Sequence, residues 1–308
     1  MTTIVKHYRN SFIDIQNDEI RILMDPWVNT ANEGAWAASK FGNNFIFNTV
    51  KKRNVDYIYI SHLHTDHFDL KFLNKYRKNQ KKNFKIIIKK FKDNRLKNQI
   101  INSGFKKNEI IDIDEFEILK LKKNSELIIL PQLSSSNTPN HHINYDLDTS
   151  CIFKDKNVKL FNQSDNPYSV NDIKFLLKKL KKKTYLNFDL AFVPYCAASE
   201  FPQAFLNLNR ISEKKKIISE RISKFANIGK ALECKKLIPA GGSYTLDNIF
   251  SKLNKYSAVP NFNTIKKLFD KKKIKKFEII NTEEFFFEIN KNKVLLKKII
   301  LKIILYLK

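Results

Sequence analysis

Residues 60–69 read Ile60-Ser61-His62-Leu63-His64-Thr65-Asp66-His67-Phe68-Asp69, so three of the chain's six histidines and two carboxylates fall in one decapeptide. The residues just before it, Val55-Asp56-Tyr57-Ile58-Tyr59-Ile60, are β-branched and aromatic with no breaker and read as a buried strand. The histidines therefore stand where a strand gives way to a loop. His62 and His64 are two apart, and if strand geometry continues through them their side chains leave one face and converge. Asp66 and His67 follow in the turn. Imidazole and carboxylate are the usual ligands of a divalent transition ion, and a catalytic site keeps one coordination position for water. For any single histidine a polar surface loop is the plainer reading. The whole cluster, set behind a hydrophobic strand, favours a centre for one or two ions.

The His-x-His-x-Asp-His pattern, with Asp25-Pro26-Trp27 ahead of it, resembles the metallo-β-lactamase-fold superfamily. That resemblance implies an α+β chain folded as a four-layer αββα sandwich with the metal site at one edge. It implies His62, His64, Asp66 and His67 as ligands, and Asp25 as a buried partner that orients the metal loop without binding the ion. It also implies three ligands downstream: a histidine, a bridging aspartate and a last histidine. For the first, His142 is the choice and His141 the rival, since both precede Asp148-Thr149-Ser150-Cys151-Ile152-Phe153. For the second, Asp165 lies in the loop 162–167 after a strand-like 158–161; the competing reading is an Asx-turn residue ahead of Asn166-Pro167. The last histidine is missing, because Leu237-Ile238-Pro239-Ala240-Gly241-Gly242 looks like the strand and loop that would carry it and holds none.

A narrower likeness covers roughly residues 5–250. Asp25-Pro26-Trp27, Asn166-Pro167, Ala198-Ser199-Glu200-Phe201-Pro202-Gln203 and Ile238-Pro239-Ala240-Gly241 together resemble the CMP-N-acetylneuraminate hydroxylase branch. The third of these motifs follows a strand-like 189–194 and reads as an active-site wall, with Tyr195, Ser199 and Gln203 as candidate substrate-binding residues. Hydroxylases of that branch carry a Rieske iron-sulfur domain, which needs two cysteines and two histidines in paired motifs. No Cys-x-His pair exists here, so such chemistry would need a separate electron donor.

The chain has 57 basic against 31 acidic residues, a formal +26. A balance of that kind ordinarily points to nucleic acid or an anionic surface. Here the excess is lysine spread along the whole chain, whereas a nucleic-acid groove gathers arginines and aromatics in one segment, so nucleic acid is not the expected partner. The field still favours a small anionic substrate. Three scattered cysteines suit neither a disulfide frame nor a thiolate metal site and fit a reducing cytoplasm. The first residues lack the apolar region and cleavage site of a signal peptide, and no run of about 18 uncharged apolar residues occurs. Cytoplasmic localisation, with a possible peripheral hold on a membrane, is the expectation.

No linker composition divides the chain, so one domain is expected over 1–290, followed at 291–308 by a basic amphipathic C-terminal helix. There Val294, Leu295, Leu296, Ile299 and Ile300 alternate with Lys293, Lys297, Lys298 and Lys302. Such a helix suits either an anionic membrane or a dock on its own sheet. Elsewhere 7–15 and 17–24 read as two strands, 93–103 and 171–182 as helices, and 208–233 as a long helix interrupted near Gly229.

Two functions follow. One is a metal-dependent hydrolase in which a metal-bound hydroxide attacks a phosphodiester, lactone or amide and Asp66 takes the proton. The other is an iron-dependent oxygenase-like enzyme acting on a nucleotide sugar or surface-glycan precursor. The cofactor in either case is one or two divalent ions, zinc or iron.

Overall fold

Ile86 and Ile88 of the strand Lys85–Lys89 face one side of their sheet and Ile87 the other, and all three are buried. A strand covered on both faces reads as an unbroken apolar run, which is why such runs recur in this sequence. The computed structural model describes residues 2–37, 43–133, 147–181, 185–196, 199–271, 277–280, 285–290 and 293–298.

An eight-stranded sheet runs in the order Lys293–Lys298, Phe285–Asn290, Thr2–Arg9, Phe12–Gln16, Arg21–Met24, Tyr57–Tyr59, Lys85–Lys89, Ile110–Ile113. A seven-stranded sheet runs Glu278–Ile279, Lys236–Pro239, Leu190–Val193, Lys159–Asn162, Ser150–Lys154, Ser125–Leu130, Ile118–Lys122. Their inner faces meet in one core that includes Val5, Met24, Tyr59, Leu127, Phe153, Phe192 and Phe287. Helices Leu70–Asn79 and Arg95–Asn102 cover the outside of the first sheet through Phe72, Tyr76, Leu96 and Ile100. Helices Val170–Lys181, Arg210–Leu232 and Phe262–Lys271 cover the second through Ile173, Leu176, Phe225 and Phe269. The layers are αββα, as expected from the sequence.

Both sheets hold a parallel block, and this places the site. Met24 lies opposite Tyr59 and Tyr59 opposite Ile87 in the first sheet; Asn162 lies opposite Phe192 and Val193 opposite Pro239 in the second. The segments that leave these strands therefore emerge at common edges, where α/β sheets place ligand sites. They carry Asp25, the 61–69 loop, Asp165 and Gly241.

Three expectations are corrected. The segment 7–15 is not one strand: the chain turns at Asn10, whose φ of 50° is left-handed, so the strand Thr2–Arg9 ends there and Phe12–Gln16 begins. The helix Arg210–Leu232 runs through Gly229, which is there for packing. A Cβ at that position would lie 2.5 Å from Leu237 Cδ2 and 2.9 Å from the Phe277 ring.

The third correction concerns the C-terminal segment. Lys293–Lys298 is a strand, at the edge of the sheet among the described residues, not the start of a helix, and pairs antiparallel with Phe285–Asn290, which itself pairs with Thr2–Arg9. Residue 290 is thus no boundary: the chain beyond it continues the first sheet. The expected membrane contact rested on a helix from 291 and loses that basis over 293–298; residues 299–308 lie outside the described structure. Among the described residues, no helix is long and apolar enough to cross a membrane.

Candidate metal centre

The strand Tyr57–Tyr59 is prolonged by one more bond, from Ile60 N to Ile87 O at 3.0 Å, before the chain lets go of the sheet. The loop then closes on itself: His67 N and Phe68 N both donate to His64 O, at 2.9 and 2.8 Å. Asp69 fixes its far end. One carboxylate oxygen caps the helix Leu70–Asn79 by accepting Phe72 N at 2.9 Å. The other accepts Val28 N at 3.0 Å and Asn29 N at 2.7 Å, which fastens the residues after Asp25-Pro26-Trp27 to the same loop. A buried loop needs every backbone polar group satisfied, and these bonds do much of that.

Asp25 is the hub of the hydrogen bonds behind this loop. Its φ is 43° and it is completely buried. Oδ1 accepts Ser61 N at 2.7 Å; Oδ2 accepts the Ser61 hydroxyl at 2.6 Å, the Ser164 hydroxyl at 3.0 Å and His67 Nδ1 at 2.8 Å. With the Ser61 proton given to Asp25, Ser61 Oγ accepts from His62 Nδ1 at 2.9 Å. The network thus assigns the proton to Nδ1 of both His62 and His67 and turns both Nε2 atoms toward one space, the outer-ring bonding that orients metal-binding imidazoles.

Two sets of ligand atoms converge there. His62, His67 and Asp165 form one set and His62, His64 and Asp148 another, with the atoms of each set within 4.8 Å of one another. His67 Nε2 is 3.2 Å from Asp165 Oδ2 and 3.5 Å from Asp66 Oδ2, while His62 Nε2 is 2.9 Å from His64 Nδ1 and 3.8 Å from Asp148 Oδ1. Asp148 Oδ1 and Asp165 Oδ1 are buried with no hydrogen-bond partner, whereas His67 Nε2 faces the other Asp165 oxygen. Orphaned polar atoms of this kind cost about 1–3 kcal/mol each unless something binds them, and a divalent ion suits a set of imidazoles and carboxylates.

The electrostatics agree. Burial, then the charge on His67, pushes His62 down to about 3, so it stays a neutral ligand. Burial also works against a charged His67, but Asp165, Asp66 and Asp25 outweigh it and hold this imidazole well above its usual range. Burial would raise Asp165, yet His67 draws it down to about 2. For Asp148 burial and the neighbouring Asp165 act together and lift it to about 6.

The structure thus brings together His62, His64, Asp66, His67, Asp165 and Asp25. His142 and His141 lie outside the described residues. Ser199 and Gln203 are tied into the protein: the Gln203 amide donates to Ser199 O and to the Tyr244 hydroxyl, and Tyr244 stacks on Trp36 at 4.1 Å between centroids. Tyr195 packs against the core beneath the second sheet. Where the last histidine is missing, Gly241 has a φ of 82°, and a Cβ on it would sit 3.1 Å from Asp165 Oδ1 and from Ser164 O. A side chain there would crowd the loop that carries Ser164 and Asp165.

Sequence reasoning missed two residues. Asn10 donates to Asp66 Oδ2 at 3.3 Å, accepts Gly241 N on its carbonyl at 3.0 Å and accepts Ser243 N on Oδ1 at 3.2 Å, tying the metal loop to the glycine loop. Its signal was a turn residue inside an apparent strand. Asp148 was visible only as the first residue of a strand-like run.

An αββα sandwich with a His-x-His-x-Asp-His loop at its edge defines a metallo-β-lactamase-fold protein, and solved structures of that fold align over nearly the whole chain. They include CmlA, a diiron β-hydroxylase from Streptomyces venezuelae, with TM-score 0.59, 15% identity, and 96% of this chain and 54% of that one covered. They also include isothiocyanate hydrolase from Delia radicum gut bacteria, with TM-score 0.58, 12% identity, and 96% and 100% covered. Igni18, a metallo hydrolase from Ignicoccus hospitalis, aligns with TM-score 0.55 at 14% identity over 94% of this chain and 99% of that one. Identities this low establish the fold.

Within that class the chain belongs to the anti-Pycsar protein Apyc1 family, whose model matches residues 5–197. Proteins named as Rieske 2Fe-2S iron-sulfur proteins share shorter stretches. The one from Mycobacterium tuberculosis is 35% identical over 91 residues, 30% of this chain and 17% of that protein. The one from Mycolicibacterium smegmatis is 46% identical over 55 residues, 18% and 10%. The matches thus span less than a fifth of those relatives' length.

Proposed function

We propose that this protein is a metal-dependent hydrolase of small anionic substrates, phosphodiesters ahead of lactones and amides. The observation that carries the reading is the convergence of three imidazoles with Asp66 and Asp165, beside two buried carboxylate oxygens, of Asp148 and Asp165, that have no hydrogen-bond partner. A cavity of about 170 Å3 is lined by Asp165, Gln163 and Asn166 together with Arg221 and Lys224. Two cations in the lining of a cavity that Asp165 also lines suit a substrate that keeps a negative charge, which a phosphodiester does and a lactone does not.

Divalent ions bound here would supply Lewis acidity and bring a water's pKa down from 15.7 to about 7. The residues do the rest. Asp25 holds His67 and, through Ser61, His62 in the tautomers that leave Nε2 free. Asp66, held by Asn10, would bind an ion and is placed to take up a proton from water. Arg221 and Lys224 draw in and orient the anion. Support for the class comes from fold relatives described as metallo hydrolase, metal-dependent hydrolase and isothiocyanate hydrolase.

The test is hydrolysis of bis(p-nitrophenyl) phosphate and of a p-nitrophenyl ester by the metal-loaded protein and by His64→Ala. Phosphodiester turnover by the wild type that falls about 100-fold or more in the variant is expected. Equal metal content and equal activity in the two proteins would end the proposal. The fold likeness to a diiron β-hydroxylase favours a second reading, an iron-dependent oxygenase-like enzyme on a nucleotide sugar or surface-glycan precursor with a separate electron donor. Oxygen uptake by the iron-loaded protein with an added reductant separates the two.

A further inference from the structure

We propose that Asp148 is a ligand of the outer ion, in the place that the sequence assigns to His142. The inference rests on the metal reading above and deepens it. Asp148 Oδ1 lies 3.8 Å from His62 Nε2 and completes a set with His62 and His64. That oxygen is buried and has no hydrogen-bond partner.

Asp148 is also held where it stands. The amides of Leu147 and Asp148 both donate to Gln132 Oε1, at 3.0 and 3.2 Å. The next residue, Thr149, is fully buried; its hydroxyl donates to Ser61 O at 2.7 Å and lies 2.6 Å from the Tyr59 hydroxyl. Ser61 precedes His62, so the carboxylate and the imidazole are referred to one piece of backbone. This is the preorganisation expected of a ligand and not of a surface aspartate, whose oxygens would meet water.

The consequence is a centre of three imidazoles and three carboxylates, Asp66, Asp148 and Asp165. At the other end stands Gly241, where a Cβ would lie 3.1 Å from Asp165 Oδ1. Oxygen ligands suit manganese and iron(II) better than an imidazole-rich set does, so the usual advantage of zinc over manganese narrows here.

The experiment titrates the metal-free full-length protein with Mn2+ and with Zn2+ by calorimetry, with bound metal counted after dialysis. The proteins are wild type, Asp148→Asn, Asp148→His and His142→Ala, each checked for a native circular-dichroism spectrum. The expected result is that Asp148→Asn binds the outer ion about 100-fold more weakly or not at all. Asp148→His should regain it with zinc favoured over manganese by at least about tenfold more than in the wild type. His142→Ala should keep wild-type stoichiometry. Asp148→Asn with unchanged stoichiometry and affinity, beside a His142→Ala that loses an ion, overturns the assignment and leaves the metal centre standing. A wild-type protein that binds neither metal overturns the centre itself.

Discussion

The two halves of the centre are built to different standards. In the inner half His67 is completely buried, and Asp66 nearly so. Asp25, Ser61, Ser164 and Asn10 all hold this half in place. In the outer half His64 is exposed, while Asp148 there and Asp165 in the inner half are similarly open, at 15% and 20% of their side chains. His62 belongs to both. The inner half is thus prepared before any ion arrives, while the outer half faces the solvent and the incoming substrate, which is where an open coordination position has to be.

The largest effect comes from removing the hub. Asp25→Ala leaves two hydroxyls, an amide and His67 Nδ1 without their shared acceptor in a dry interior, and should cost about 3–5 kcal/mol. That would appear as a fall of roughly 10 °C in the thermal midpoint. His64→Ala, on the exposed side, should change stability by less than about 0.5 kcal/mol while still losing the outer ion. If both variants melt alike, the contrast between the halves is wrong.

Two glycines sharpen it. Gly229→Ala overfills the contact between the long helix and Leu237 and Phe277 and should cost about 1–3 kcal/mol with metal binding unchanged. Gly241→Ala forces a side chain onto a φ of 82°, at about 1–2 kcal/mol, and crowds Asp165, so it should also weaken the inner ion. Melting curves set against metal titrations separate the two outcomes.

The smallest effect is in pH. The neighbouring carboxylates hold His67 of the metal-free protein protonated at neutral pH, and an ion can bind only the neutral ring. Metal uptake should release a proton, and apparent affinity should climb by up to about tenfold per pH unit, levelling above the raised pKa of His67. Calorimetry in buffers of different ionisation enthalpy measures that proton. His64→Ala should keep it, and a wild type that releases none contradicts the inner-half assignment.

The same contrast explains what was legible in the sequence. His62, His64, Asp66 and His67 are local in the chain, and local spacing after a strand is something a sequence displays. Asp25 and Asp165 were placed by resemblance, and the structure puts both against His67. Asp148 was missed because a lone aspartate ahead of a strand carries no local sign; only the antiparallel sheet and Gln132 bring it to His62. Asn10 was missed because a single left-handed residue inside an apolar alternation does not break the period.

The C-terminal misreading has a similar cause. Residues 293–298 are too short and too mixed in lysine and leucine to prefer one period, and their partner Phe285–Asn290 decides for a strand. The lysines then serve an exposed sheet edge, where charge discourages further pairing. Gly229 shows the converse: a glycine suggested a break, and close packing kept the helix whole.

Anomalous diffraction from crystals of the full-length protein equilibrated with Mn2+, recorded on both sides of the metal edge, tests the centre most directly. An anomalous peak bounded by His62 Nε2, His67 Nε2 and Asp165 is the expected result, with a second bounded by His62, His64 and Asp148. A map with well-defined side chains and no anomalous density among these residues would contradict it.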